Sequence, residues 1–414
     1  MRPLSFHPAT SLAAGPPEAA RRTAAHESPW DIPLSDVLVD DEIAQAVDEV
    51  LRSGWWSMGP KVAEFEHAFE EFIGARSLAV ANGTAALHLA LLAVGCGPGD
   101  EVILPSLTFV AAANCVAHTG ATSVFCDVIG PQDLNMDPDD VERAITPATK
   151  AIIAFHYGGH PCRMDSLLEL AERHGLVVIE DAAHAPGSQF GGQMCGTIGQ
   201  IGCFSFFSNK NLPTGEGGML VTTDPELAER LRLLRSHGMT RLTWDRHRGH
   251  AASYDVVTVG FNYRLDELRA AIGLVQLGRL EAGNRARAGV VSRYRAAFEG
   301  VDRLVMPFAD AEATAAHHLA VLVLPPECDR DHFRASLEKA RIQTSVHYPP
   351  IHQFTAYRQD ETRSLPMTEQ VAERLVTLPL YPNIDQAAVD AVTKAVVQAV
   401  ADSHSAQGGD NGTR

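Results

Sequence analysis

The feature that most constrains this chain is a regular exchange of two hydrophobic patterns. Short apolar, β-branched runs alternate with longer stretches of helical period: SLAVA then GTAALHLALLAVG, EVILP then FVAAANCVAHTG, TSVFCDV then PDDVERAI, KAIIAFH then MDSLLELAERHG, and finally LVVIEDA. Strands separated by helices build a predominantly parallel sheet with helices on its faces, so the chain is expected to be of the α/β class. In such sheets ligands gather at the carboxyl ends of the strands. The residues that follow each run are therefore the first place to look for chemistry.

From about Asn262 the pattern changes. A long helical stretch, RLDELRAAIGLVQLGRLEAGNRARAGVVSRYRAAF, precedes the apolar run HLAVLVLPP, a helix HFRASLEKA and a last amphipathic segment AAVDAVTKAVVQAV. The length of 414 residues exceeds the roughly 250 to 300 at which one core stops growing. We expect a large domain over residues 29–280 that includes a bridging helix, and a small α+β domain over residues 281–402. Residues 1–28 and 403–414, polar or without periodicity, read as flexible tails.

Charge and cysteine usage narrow the function classes. A net charge of −17, from 51 acidic and 34 basic residues, repels nucleic-acid phosphates and anionic membranes. No apolar run is long enough to span a bilayer, and no signal peptide is evident at the start. The seven cysteines stand singly with no CxxC pair, as expected of buried thiols in a reducing cytoplasm. An anionic ligand needs a local basic or dipolar pocket acting against the global field.

Three segments offer such chemistry. In NGTAALHLAL a strand gives way to a helix whose first amides, with the Thr84 hydroxyl, suit a phosphate. LVVIEDAAHAPGS puts Glu180 and Asp181 at a strand end, with His184 three residues beyond Asp181. GCFSFFSNKNLPTGEGG sets Lys210 among apolar, hydroxyl and glycine residues, a setting that lowers a lysine pKa and favours Schiff bases; Ser205 and Ser208 add hydroxyls. Taken alone, each has an ordinary reading: a capped helix start, a loop carboxylate bonded to backbone, a solvated lysine. Together they supply a phosphate cup, a partner for a ring nitrogen and an amine for an aldehyde, which is what pyridoxal 5'-phosphate (PLP) requires.

The ordered set GWWSMGPKVAEFE, NGTAALHLAL, GDEVILPSLTFVAAAN, HYGGHP, IEDAAHAPGS, SFFSNKNLPTGEGG, GFNYRLDELRAAIGLVQL and SVHYPPIHQ to LPLYP resembles the DegT/DnrJ/EryC1/StrS family of PLP-dependent sugar aminotransferases over most of residues 30–400. The resemblance implies the fold-type I architecture of aspartate aminotransferase. It implies that Lys210 binds the cofactor aldehyde, Asp181 faces the pyridine nitrogen, Phe109 stacks on the ring, His184 packs beside it, and Gly83, Thr84 and Ser205 hold the phosphate. It further implies that Asn262, or Arg264, reaches the phosphate of a neighbouring subunit, which makes the enzyme a homodimer with shared sites. The implied substrates are an amino-acid donor, glutamate or glutamine, and a nucleotide-linked keto sugar or a keto-cyclitol, in secondary-metabolite, antibiotic or cell-surface sugar biosynthesis. Trp55, Trp56, His347, Tyr348 and His352 are candidate substrate contacts.

Three rival readings remain at this stage. Within the family, a dehydratase replaces the lysine with His or adds an iron–sulfur cluster, and Lys210 and the cysteine spacing argue against both; an aromatising synthase keeps the lysine. A non-catalytic binding protein on the same fold would not need Lys210, Asp181 and Thr84 together. The histidines of HYGGHP and DRHRGH, His156, His160, His247 and His250, lack the spacing of a known metal site, and GEGG is too loose for a dinucleotide fingerprint. No metal is expected.

Overall fold

The computed structural model describes residues 29–241, 244, 253–309, 314–358 and 363–408. The N-terminal tail expected over 1–28, residues 409–414, and His247 and His250 lie outside the described residues. The chain opens with α1 (Asp41–Ser53) and α2 (Pro60–Ile73), then β1 (Arg76–Val80) and α3 (Gly83–Ala93). Next come β2 (Glu101–Pro105), α4 (Ala111–Thr119), β3 (Thr122–Cys126), a hairpin of β4 (Val128–Gly130) and β5 (Asp133–Met136), and α5 (Pro138–Ala144). They are followed by β6 (Thr149–Phe155), α6 (Met164–His174), β7 (Val177–Asp181), a hairpin of β8 (Gln189–Phe190) and β9 (Gln193–Met194), β10 (Ile201–Ser205), β11 (Gly218–Thr222) and α7 (Pro225–Arg235).

Seven of these strands form one sheet in the order β1-β11-β10-β7-β6-β2-β3. The run from β10 to β3 is parallel throughout, and β11 alone runs against its two neighbours. The α/β expectation therefore holds. Helix α3 is apolar on nearly every face and is buried against α4, α7 and the sheet, as a helix without a polar face must be.

A second core lies in the C-terminal part. A 32-residue helix, α8 (Glu267–Phe298), leads into β12 (Ala320–Val323), α9 (Arg330–Lys339), α10 (Pro366–Ala372), β13 (Leu375–Leu378) and α11 (Gln386–Gly408). β12 and β13 pair antiparallel. The first half of α8 sends Ala270 and Leu280 into a core shared with α2 and the sheet, whereas Val290, Val291, Tyr294 and Phe298 join the core of β12, β13, α9 and α11. The last helix continues through 403–408, residues assigned by sequence to a tail; Ser403 is buried there, its hydroxyl bonded to the Ala399 carbonyl.

One carboxylate ties the start of α8 to the start of α2. Gly59 precedes α2 and supplies no capping side chain, and a Cβ there would lie 2.7 Å from the Trp55 indole nitrogen. The missing cap comes from Glu267, whose buried carboxylate accepts from the amides of Gly59, Lys61 and Val62, each at 2.9 Å. Helix N-terminal amides that lose their acceptor inside a protein carry the full cost of their desolvation. Glu267→Ala is expected to destabilise the protein by about 3 kcal/mol, with Glu267→Gln in between. Urea unfolding checks this, and an unchanged midpoint in Glu267→Ala would refute it.

Candidate active site

The carboxyl ends of β1, β2, β6, β7 and β10 converge on a cavity of about 390 Å³. Its rim begins at the N-terminus of α3, where Asn82 takes the Ala85 amide on its side-chain oxygen at 2.8 Å and the Ala86 amide on its carbonyl. No described residue accepts from the amides of Gly83 and Thr84, which line the cavity. Gly83 is required by packing: a Cβ there would stand 2.8 Å from the Ser205 Cβ. Phe109 follows β2 and, although 56% exposed, opens onto this space.

Strand alternation sends the two carboxylates of β7 in opposite directions. Asp181 faces the cavity, with one oxygen accepting from the Ala183 amide at 3.1 Å. Burial pushes its carboxyl above the usual carboxylate range, an effect opposed by that amide and by the charge of Lys210. Glu180 faces the other way. It accepts from His156 Nε2 at 2.9 Å and from the amides of Gly196, Ile198 and Gly199 at 2.7, 2.7 and 2.6 Å.

Lys210 sits on the loop after β10, and enclosure of its amine lowers the pKa to about 8 against the pull of Asp181. Its Nζ lies 3.5 Å from Nε2 of His318, a residue the sequence reading did not single out. The hydrogen-bond pattern fixes the tautomer of this histidine. Asn211 donates its amide hydrogens to Asn284 Oδ1 and the Ala316 carbonyl, both at 2.8 Å, so its Oδ1 is the acceptor for His318 Nδ1–H at 3.0 Å. Nε2 then carries a lone pair directed at Lys210. Burial, and next the charge of Lys210, hold His318 well below its ordinary pKa, so it is neutral.

His184 is fixed by the same logic. The Gly158 amide donates to its Nδ1 at 3.3 Å, so Nε2–H donates to the Tyr348 hydroxyl oxygen at 3.0 Å and leaves the phenolic hydrogen free to point elsewhere. Burial keeps His184 neutral as well. His347 and Tyr348 line the cavity from the C-terminal part, and burial lowers His347 to about 4.

The structure thus gathers Gly83, Thr84, Phe109, Asp181, His184, Ser205, Lys210, His347 and Tyr348 around one space. Other candidates stand apart. Trp55 packs on Trp244 with ring centroids 4.8 Å apart and donates to the Met58 carbonyl, and it does not line the cavity. His352 is buried, bonded through Nδ1 to the Ser106 hydroxyl at 2.7 Å, and does not line the cavity. Asn262 and Arg264 lie on a segment bridged to Ser236 and Val80, outside this chain's own cavity. His160 stacks on Phe308, whereas His156, Glu180 and Cys195 approach one another; all four donors to Glu180 are already in place, and nothing in that cluster calls for an ion.

A mostly parallel sheet with its cavity at the strand ends is the fold-type I architecture of PLP-dependent enzymes. The chain belongs to the DegT/DnrJ/EryC1/StrS aminotransferase family, whose model matches residues 38–397. It is 42% identical over 380 residues to the spore coat polysaccharide biosynthesis protein SpsC of Bacillus subtilis, covering 90% of this chain and 96% of that protein. Among solved structures it is similar to the sugar aminotransferase CalS13 of Micromonospora echinospora (32% identity, TM-score 0.82, 89% of this chain and 99% of the other). It is also similar to Spr1654 of Streptococcus pneumoniae in its PLP form (30% identity, TM-score 0.83, 90% and 99%). The cavity fits this cofactor: free amides and a glycine where a side chain would collide lie on its rim, and an aromatic face, a carboxylate and an amine line it.

The lowered pKa has a direct consequence in protein stripped of cofactor. Below about pH 8 Lys210 is an ammonium and above it a free amine, whereas the lysine of a model peptide titrates at about 10.4. Competitive labelling with acetic anhydride, read by mass spectrometry of each lysine peptide, is expected to give Lys210 a midpoint near 8. A midpoint shared with the exposed lysines would show that enclosure does not tune this amine.

Proposed function

We propose that this aminotransferase moves an amino group from an amino-acid donor, glutamate or glutamine, to the ketone of a nucleotide-linked keto sugar or a keto-cyclitol, in secondary-metabolite or cell-surface sugar biosynthesis. The observation that carries the reading is Lys210, an amine tuned toward neutrality at the junction of the cofactor cavity and a second cavity behind it. In this assignment Gly83, Thr84 and Ser205 hold the cofactor phosphate, Phe109 and His184 flank the ring, and Asp181 pairs with the ring nitrogen. A cationic ring nitrogen also offsets the burial of Asp181, whose second carboxylate oxygen has no donor among the described residues.

When bound, PLP supplies an electron sink for the carbanion formed at the substrate carbon. Lys210 Nζ removes the proton from the donor's α-carbon in the first half-reaction and delivers one to the former ketone carbon in the second. His318 Nε2 accepts one N–H of Lys210 and so orients the amine. The Tyr348 hydroxyl, its oxygen held by His184, presents a hydrogen for an acceptor in the cavity.

The homodimer belongs to the same proposal. Tyr254, Val256, Val257 and Val259 are exposed beside Asn262, with Val259 at 87%, and such a grouping of apolar side chains suits a subunit contact that carries Asn262 to a neighbour's site. Buried, unpaired thiols suit a cytoplasmic enzyme. No helix among the described residues is long and apolar enough to cross a membrane.

Purified protein is expected to show a visible band of lysine-bound cofactor that L-glutamate or L-glutamine converts to the pyridoxamine form. Lys210→Ala should lack that band, and Asp181→Asn should keep cofactor but transaminate roughly 100-fold more slowly or worse. An unresponsive band would direct the search to another donor or to an aromatising reaction, and unimpaired turnover in Asp181→Asn would refute its role. His318→Phe should retain the band and lose up to about 100-fold in kcat with little change in KM, as orientation of a reacting group demands. A change confined to KM would refute the orienting role.

A further inference from the structure

Behind the Asn209–Lys210 wall lies a second cavity of about 450 Å³, floored by α8 and walled by residues 35–40 and 380–383. Its charges do not balance. Arg279 has its charge paired, with Nη2 against Asp40 at 2.8 Å and Glu42, although its Nη1 is buried without an acceptor. Asp36 accepts from Asn383 at 3.3 Å. Arg287 has no partner: it is 6% exposed, its Nη1 is buried without an acceptor, and no hydrogen bond or ion pair among the described residues involves its guanidinium. One helical turn earlier on the same face stands Gly283, where even a Cβ would come within 3.3 Å of Nη1, so the approach to the guanidinium is clear. Burial lowers the Arg287 pKa to about 10, and no nearby carboxylate offsets this.

An unpaired buried charge costs several kcal/mol, and a guanidinium that touches no acceptor is not there to hold the fold together by polar contacts. Carboxylates and phosphates present paired oxygens that a guanidinium takes through two parallel N–H···O bonds. Asn209 and Lys210 line both cavities, so a molecule entering through the second one would meet Lys210 on the side away from the first. We propose that Arg287 is the anion anchor of the substrate cavity, receiving the carboxylate of the amino donor or the phosphate of a nucleotide-linked acceptor. This inference rests on the reading of Lys210 as the cofactor lysine.

Two unreactive probes separate the two sources. Holoenzyme in the PLP form takes an amino group from an amine, and neither 2-oxoglutarate nor uridine diphosphate has one to give, so calorimetry measures binding alone. In Arg287→Met one probe is expected to weaken at least tenfold and the other to stay within threefold, with Arg287→Lys intermediate; loss of 2-oxoglutarate assigns the donor carboxylate, and loss of uridine diphosphate the phosphate. Both probes unchanged, neither bound by the wild type, or both weakened as much as neutral uridine, would overturn the anchor. Arg287→Gln replaces the methionine variant if that one fails to fold. The visible cofactor band of the same wild-type sample reports separately on the Lys210 reading: its absence sinks that reading, whereas its presence beside an indifferent Arg287→Met sinks only the anchor.

Discussion

The site depends first on Glu180. Its carboxylate is wholly buried and takes four N–H donors, three of them backbone amides of the turn that leads into β10. That turn sets where β10 begins beside β7, and the register of β10 sets where the lysine loop emerges. Breaking such a buried, fully satisfied group strands several donors at once, so the turn has no inexpensive alternative position. Asp181 and Lys210 come from strands whose relative placement is fixed by the neighbouring carboxylate on the opposite face. Gly199 and Gly202 belong to the same arrangement, since a side chain at either would collide with the backbone of Val178 or Gly196.

A second polar chain brings the C-terminal part to the lysine. From Lys210 it runs through His318 and Asn211 to Asn284 on α8, whose amide donates to the Pro186 carbonyl at 2.9 Å. Residues from four distant parts of the sequence share one hydrogen-bond direction. Because each asparagine has its oxygen and its amide committed, the histidine between Asn211 and Lys210 has one tautomer, and a neutral base stands beside the amine at every pH where its ring stays unprotonated. Preorganisation of this kind, with polar groups held before substrate arrives, is how an enclosed site orients a reacting amine at little reorganisation cost.

Much of this was legible in the sequence because it is local. The strand runs, the Asn82 cap, the carboxylates of IEDA and the lysine of SNKN each announce themselves within about ten residues, and chain topology brings their ends together. What escaped is long-range. His318 stands at the head of an apolar run more than a hundred residues from Lys210, and only the doublet His317–His318 before β12 hinted at it. Trp55 and His352 read in sequence as ligand-facing residues, whereas the structure packs them against Trp244 and Ser106, off this chain's cavity. Glu180 and Asp181 are indistinguishable as a pair of letters; the period-two alternation of a strand gives one to structure and one to the cavity.

Helix α8 has a mechanical meaning beyond its capping and packing. At 32 residues it is a rod about 48 Å long whose two halves belong to different cores. Two bodies strung on one unbroken helix cannot swing apart at that joint without bending it and stripping its hydrogen bonds. Glu267, Asn284 and Arg287 ride on this rod at fixed spacings, so the cap of α2, the polar chain to Lys210 and the wall of the second cavity share one rigid frame.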